Sequence, residues 1–183
     1  MALQTLAATL KFILTLGSSF AASSRSTARL SDDSDSVNIS VVQGLTLGTG
    51  AKAANQYFQD VRTLAASTAE LLNISNGAAG GAVALLNPYA EAVAFAKITG
   101  ILIVNTSTTG TLTIGGDATY DLTTLFGANA DKVRIRPGGT FFMNVGDADA
   151  TAMAVATDEV LKISNEDGAN ALTYQIVLIG VKV

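Results

Sequence analysis

Three observations predict an all-β fold for this chain, an antiparallel sandwich or barrel preceded by an extended N-terminal arm. Apolar residues return at every second position along most of the sequence, as on one face of a strand. Turn signals separate these runs at intervals of about 8–12 residues. Residues 1–35 differ in composition from the remainder, a short apolar run giving way to a serine-rich stretch. The expected organisation is an arm over 1–35 and one β domain over 36–183, a size that can bury its own core.

The elements follow in order. Leu10, Phe12, Leu14 and Leu16 alternate as one face of a strand, although Leu3, Leu6 and Leu10 also keep a helical spacing. The polar segment 18–36 tethers this strand. An arm of this kind can lie across a neighbouring subunit, which makes Leu10, Phe12, Leu14 and Leu16 candidate partner-binding residues; the competing reading is a frayed terminus. Val37, Ile39 and Val41 begin the two-residue period of the domain. Residues 51–69 are the most helix-permissive stretch, with Phe58, Val61 and Leu64 spaced for one face, and predict a short helix. Glu70, Leu72 and Ile74 resume a strand, which Asn76-Gly77 and Gly80-Gly81 close as a loop. The alanine-rich stretch 82–94, broken at Pro88, fits neither period.

The second half reads more plainly. Residues 95–104 predict a long strand, apolar on both faces and so buried on both. Thr109-Gly110 turns into the strand 111–114. Lys132-Val133-Arg134-Ile135-Arg136 alternates, with Val133 and Ile135 inward and three cations outward. Pro137-Gly138 supplies the fixed φ and the positive φ of a tight turn. Phe141 with Met143, Met153 with Val155, and Leu161 with Ile163 mark further strands, and Leu172, Tyr174, Ile176 and Leu178 mark the last. That makes about ten strands.

Composition narrows the function. The chain contains no His and no Cys, so the commonest general base, the thiol nucleophile and the usual zinc and iron–sulfur ligands are missing. Charged residues make up 14% of it, against about 25% in an average soluble domain. An exterior so poor in charge is expected where protein covers protein, since interface cores are depleted in charge; the alternative is a monomer coated in Thr, Ser and Asn. Eleven cations against fifteen carboxylates leave a net charge of −4, with no basic block to neutralise phosphates, so nucleic acid is not an expected partner. No apolar run reaches the ~20 residues that span a membrane. The apolar stretch near residues 12–16 lacks the charge arrangement of a secretory signal, because Lys11 sits within it.

Candidate chemistry is sparse. Asp147, Asp149, Asp158 and Glu159 could build a carboxylate pair or a calcium site, but each falls at a turn, where such residues bond their own backbone. The glycine-rich stretches lack the Gly-Lys-Ser/Thr ending of a phosphate loop. No Ser-x-x-Lys spacing offers a serine nucleophile its base. Neither catalytic nor cofactor nor metal residues are therefore expected. Lys132, Arg134 and Arg136 form the one local concentration of a single sign, either a docking surface for an acidic partner or the charged face of an edge strand.

The runs Lys97-Ile98-Thr99-Gly100-Ile101-Leu102-Ile103, Arg136-Pro137-Gly138-Gly139-Thr140-Phe141, Leu161-Lys162-Ile163-Ser164-Asn165 and Thr173-Tyr174-Gln175-Ile176-Val177-Leu178-Ile179-Gly180, with the Met-Ala-Leu-Gln opening and Thr63-Leu64-Ala65-Ala66-Ser67, resemble small β-rich virion proteins of tailed bacteriophages. The resemblance covers most of the chain and carries no catalytic residues. It implies a non-enzymatic virion protein with a jelly-roll-like sandwich. Those residues do not fix which part; the charge-poor exterior and the arm favour a capsid decoration (cement) protein bound across major capsid subunits, with a tail or head fibre or adaptor as the alternative. The resemblance also implies a homo-oligomer, a trimer, whose partners are its own copies and other virion proteins.

Overall fold

The two-residue period becomes thirteen strands in a computed structural model that describes residues 8–16, 37–50, 53–75, 77, 81–87, 90–145, 153–156 and 158–183. They are β1 (Ala8–Leu16), β2 (Val37–Leu47), β3 (Ala53–Ala54), β4 (Gln56–Leu64), β5 (Ala69–Asn73), β6 (Val83–Leu86) and β7 (Ala92–Val93). After them come β8 (Phe95–Asn105), β9 (Leu112–Gly115), β10 (Lys132–Ile135), β11 (Thr140–Asn144), β12 (Val160–Asn165) and β13 (Leu172–Lys182). One helical turn, α1 (Thr123–Phe126), lies between β9 and β10. The chain divides into two units, a small one of Thr9–Gly44 and a larger one that takes in Leu45–Val183. In the small unit β1 and β2 are sheet neighbours.

The larger unit holds a six-stranded sheet, β10-β9-β12-β5-β6-β7, and a four-stranded sheet, β11-β8-β13-β4. Their pairings nest about one hairpin. β9 pairs with β10, β8 with β11, β5 with β12 and β4 with β13, all antiparallel. Both sheets turn one face into a single apolar cluster. Ile101 and Ile103 of β8, Tyr174 and Ile176 of β13, Leu72 of β5, Ile114 of β9 and Leu161 of β12 all lie within it. Burying side chains of this size stabilises by about 1.5–3 kcal/mol each, so this cluster is the main reason the two sheets hold together.

Four expectations need correction. The described part of 51–69 holds β3, β4 and the start of β5, not a helix. Phe58, Asp60, Arg62 and Leu64 share the inner face of β4, and the two charged residues hid the alternation from view, while Val61 points outward and is 63% exposed. Val133 shares the inner face with Ile135 but stays exposed, because β10 is an edge strand and only Ile135 reaches the core. Met153 and Val155 do not form a strand: Met153 has φ of 51°, which breaks extension, and Ala154 makes only a bridge to Lys97. The sheets are mixed rather than purely antiparallel, since β5 pairs with β6, and β2 with β3, in parallel.

The turn at 136–139 forms as its residues require. Gly139 N–H donates to the Arg136 carbonyl at 2.8 Å, and Gly138 carries φ of +70°. Gly180 answers a different demand. A methyl group there would collide with the Lys97 carbonyl oxygen and come within 2.9 Å of the Phe95 ring. That close approach coincides with the register shift between β13 and β8 at Ile179/Gly180.

Candidate interaction faces

The six-stranded sheet turns a cationic face outward. Arg134, Thr113 and Ser164 stand in one row across β10, β9 and β12. Lys132 and Lys162 lie two residues along from that row on their own strands, on the same face. Glu166, just past β12, takes Arg134 Nε at 3.0 Å and Lys132 Nζ at 3.6 Å. Burial pushes the Glu166 carboxyl up, but the Thr113 hydroxyl and the two cations outweigh it and hold it below its usual range. Lys162 Nζ donates to the Gly116 carbonyl at 3.1 Å. Among the described residues, Arg136 has no ion-pair partner. It lies beyond β10 in the tight turn and is exposed.

The four-stranded sheet presents the opposite surface. One outward row reads Thr140, Val104, Gln175, Val61, and the next reads Phe142, Leu102, Val177, Gln59. A third reads Asn144, Gly100, Ile179, Tyr57. No residue in these rows is charged. Leu102 and Val104, expected to be buried like their neighbours Ile101 and Ile103, are only half-buried. An open groove of about 380 Å³ runs on this face between β13 and β4, lined by Gln59, Asp60, Val61, Gln175, Ile176 and Val177.

Two sets of polar groups sit between these faces and serve the scaffold. On the inner side of β4, Arg62 binds Asp60 at 2.8 Å and grips Glu70 through Nε at 2.8 Å and Nη2 at 2.6 Å. The Tyr174 hydroxyl donates to the other Glu70 oxygen at 2.7 Å. The hydrogen bond to Glu70 raises the Arg62 pKa further, and burial followed by the same carboxylate raises that of Tyr174. These groups hold one another. The second set is a pair of asparagine locks. Asn105 donates to the Gly110 and Ile135 carbonyls, both at 3.1 Å, and accepts from Ser107 N–H. Asn165 donates to the Ala65 and Asn170 carbonyls at 3.0 and 2.8 Å and accepts from Asp167 N–H.

The buried carboxylates are likewise committed to the backbone. Asp121 accepts Gly116 N–H at 2.7 Å, yet burial still raises its pKa. Glu159, one of the candidate acids, accepts Ala156 N–H at 2.8 Å and the Thr123 hydroxyl at 3.2 Å. Asp158 sits in a turn with φ of 70°. Asp147 and Asp149 lie outside the described residues. Among the described residues, no three His, Cys, Asp or Glu side chains come together as metal ligands, and no helix is long and apolar enough to cross a membrane.

The residues singled out in the sequence divide accordingly. The structure brings Lys132 and Arg134 together on Glu166, and places Arg136 at the adjoining turn. The backbone of Leu10, Phe12, Leu14 and Leu16 runs in β1, but their side chains, like the serine-rich tether, lie outside the described residues. Lys162 and the charge-free face went unseen in the sequence. The signal for the second was present as apolar residues on both sides of 95–104. Comparison with protein-family models, with curated proteins and with solved structures finds no match to this chain, so the two faces carry the functional argument.

Proposed function

We propose that the chain is a non-enzymatic structural protein of a phage particle, a capsid decoration (cement) protein that self-associates, binds across major capsid subunits and stabilises the head. In this reading the larger unit is a jelly-roll sandwich. The nested pairs β9–β10, β8–β11, β5–β12 and β4–β13 support it, being the pairs made when an eight-stranded ribbon rolls into two sheets. Jelly rolls serve capsids, lectins and cupins alike, so the fold alone does not choose between them. The observation that carries the choice is the division of charge. One outer face bears Lys132, Arg134 and Lys162, and the outward rows of the other bear no charge among the described residues. A capsid joint rewards that division, because a stiff block needs one surface that leaves water cheaply and another that stays solvated. Residues 1–35 act as the arm that reaches a neighbour, and no cofactor enters the reading.

Quantitative protein analysis of purified particles tests this. A cement protein is present at a copy number comparable with that of the major capsid protein. Presence at a small fraction of that number, at the tail or a single vertex, replaces the reading with a fibre or adaptor, and absence from particles ends both. A chain lacking residues 1–35 binds particles more weakly if the arm docks. Equal binding removes the arm from the proposal.

A further inference from the structure

We infer that the cationic face of the six-stranded sheet receives the acidic run Asp32-Asp33-Ser34-Asp35 from the arm of a second copy of this chain. The inference rests on the arm of the reading above and deepens it, giving the arm a destination on a face which that reading leaves in water.

The face is built to hold carboxylates. β10 and β12 lie on either side of β9, and their lysines converge at Gly116. Lys162 Nζ donates to the Gly116 carbonyl, and a methyl group at Gly116 would touch the Lys132 chain, 3.4 Å from its Cδ. Between the two lysines β9 offers only Thr113 and Gly115, so no long side chain covers the cations. One carboxylate is already seated there, since Glu166 takes both Arg134 and Lys132. It shows which chemistry the cluster binds, and it leaves capacity for more. The Arg134 side chain stays 63% exposed and that of Lys132 49%, and Arg136 at the adjoining turn has no ion-pair partner among the described residues. Asp117, the other carboxylate beside Lys162, is committed to the N–H groups of Thr119 and Tyr120.

Charge selects the occupant. Residues 32–35 carry three carboxylates in four positions, the densest run of one sign in the sequence. Ser31, Ser34 and Ser36 flank and interrupt them, so no bulky side chain keeps the run from lying extended along β9. A single exposed ion pair is weak, whereas several supplied together by a tethered segment add up to a usable contact.

Topology selects a second copy as its source. The run ends two residues before β2, and about 26 Å of strand separates Val37 from Leu45, where the larger unit begins. The residues that follow are tied to the four-stranded sheet. Lys97 Nζ donates to the Gly50 carbonyl at 2.7 Å, Asn55 N–H to the Gly180 carbonyl at 3.0 Å, and Lys182 N–H to Asn55 Oδ1 at 2.7 Å. The cationic face is the outer side of the other sheet. Reaching that face in its own copy would take the chain from one sheet round to the far side of the other, and an unbroken strand makes no such bend. A contact between two different surfaces repeats from copy to copy and closes into a ring, of which the three-copy assembly in the reading above is one.

The experiment uses the full chain and follows self-association by light scattering coupled to gel filtration, over a concentration series. Two variants each remove one half of the contact. Asp32→Asn, Asp33→Asn and Asp35→Asn together neutralise the run, and Lys132→Glu, Arg134→Glu and Lys162→Glu together reverse the face. Each should weaken self-association by about tenfold or more, and added salt should weaken that of the parent chain. Mixed one to one, the two variants should form a complex of twice the 18.7 kDa chain mass, because the intact run of one fits the intact face of the other. A parent chain that stays monomeric, association that neither variant weakens, or a mixture as monomeric as its components would each overturn the inference. Because the protein has no cysteine, Asp33→Cys with Ser164→Cys in one chain tests the source of the run. Mild oxidation should give covalent multimers, and a disulfide closed within a single chain would overturn the choice of a second copy. If the reversed face does not fold, the neutralised run, which substitutes no residue of the larger unit, decides. Copy number in particles tests the cement reading separately: a chain absent from particles that still associates through the run loses that reading alone, and an abundant one whose association ignores both variants loses this inference alone.

Discussion

Glu70 is the residue on which the inner side of β4 depends, because it alone satisfies both Arg62 and Tyr174. Replacing it with Ala leaves Arg62, 22% exposed, with Asp60 as its one remaining carboxylate, and leaves the Tyr174 phenol without its acceptor in the core. Glu70→Ala is expected to cost about 2–3 kcal/mol, less than a wholly buried pair would because water still reaches Arg62; chemical denaturation measures it. Double replacement with Arg62→Met should recover part of the loss, since the one charge then left without a partner, Asp60, has a side chain 41% exposed and is solvated. Glu166 makes a weaker contribution with a defined pH dependence. Its pKa is held below the ordinary 4.5 in the folded state, so its contribution is complete above that value and fades as pH falls through the lower, folded-state value. Glu166→Gln should therefore lower stability by under about 1 kcal/mol at neutral pH, and the difference from the parent chain should vanish in acid. A difference that grows in acid would contradict the assignment.

Strands and turns raise a different question, that of how short loops hold two sheets at a fixed separation. Asn105 and Asn165 answer it with one device used twice. Each ends a strand that leaves one sheet, accepts a backbone N–H two residues on, and donates to the carbonyl five residues on and to a carbonyl of another segment. The loops 65–68, 105–110, 136–139 and 166–171 are thereby tied to one another; Ser67 N–H to the Asp167 carbonyl at 2.8 Å and Asn105 N–H to the Gly139 carbonyl at 3.0 Å complete the set. Asn165→Ala removes the side-chain partners of part-buried backbone groups at Ala65, Asp167 and Asn170 and should cost about 1–2 kcal/mol. Hydrogen exchange should quicken at Asp167 and across the turn at 65–68 ahead of the rest of β12. The Asn165-Glu166-Asp167-Gly168 turn was legible in the sequence, but the reach of Asn165 across to β4 was not, because its partner lies about a hundred residues away.

For the molecule as a whole, the division between a cationic face and an uncharged one is the property most open to test. Reversing Lys132, Arg134 and Lys162 to Glu together should weaken attachment to particles if that face meets an acidic partner surface, with a modest loss of thermal stability because Glu166 then faces like charges in place of its cations. Attachment that is unchanged, and equally insensitive to salt, would leave these residues as the charged guard of a sheet edge. Here the inner charges of β4 matter too. Asp60 accepts the N–H of Val61 at 2.8 Å, which occupies a backbone donor on the other sheet's exposed edge strand. Each sheet thus carries charge along one edge, β10 in one and β4 in the other, where an edge would otherwise invite an unplanned strand.

The two-residue period, the tight turn at 136–139 and the strands at 95–105, 160–165 and 172–182 were determined by the sequence alone. Each depends on neighbours a few positions apart and on the conformations that Gly and Pro permit. Tertiary structure decided the remainder. β4 read as a helix because two of its inward residues are charged, and they are tolerated only because Glu70 and Tyr174, from other strands, come to meet them. The neutral face likewise exists only once β4, β8, β11 and β13 lie side by side, since burial and charge belong to surfaces, and surfaces are assembled from residues the chain keeps far apart.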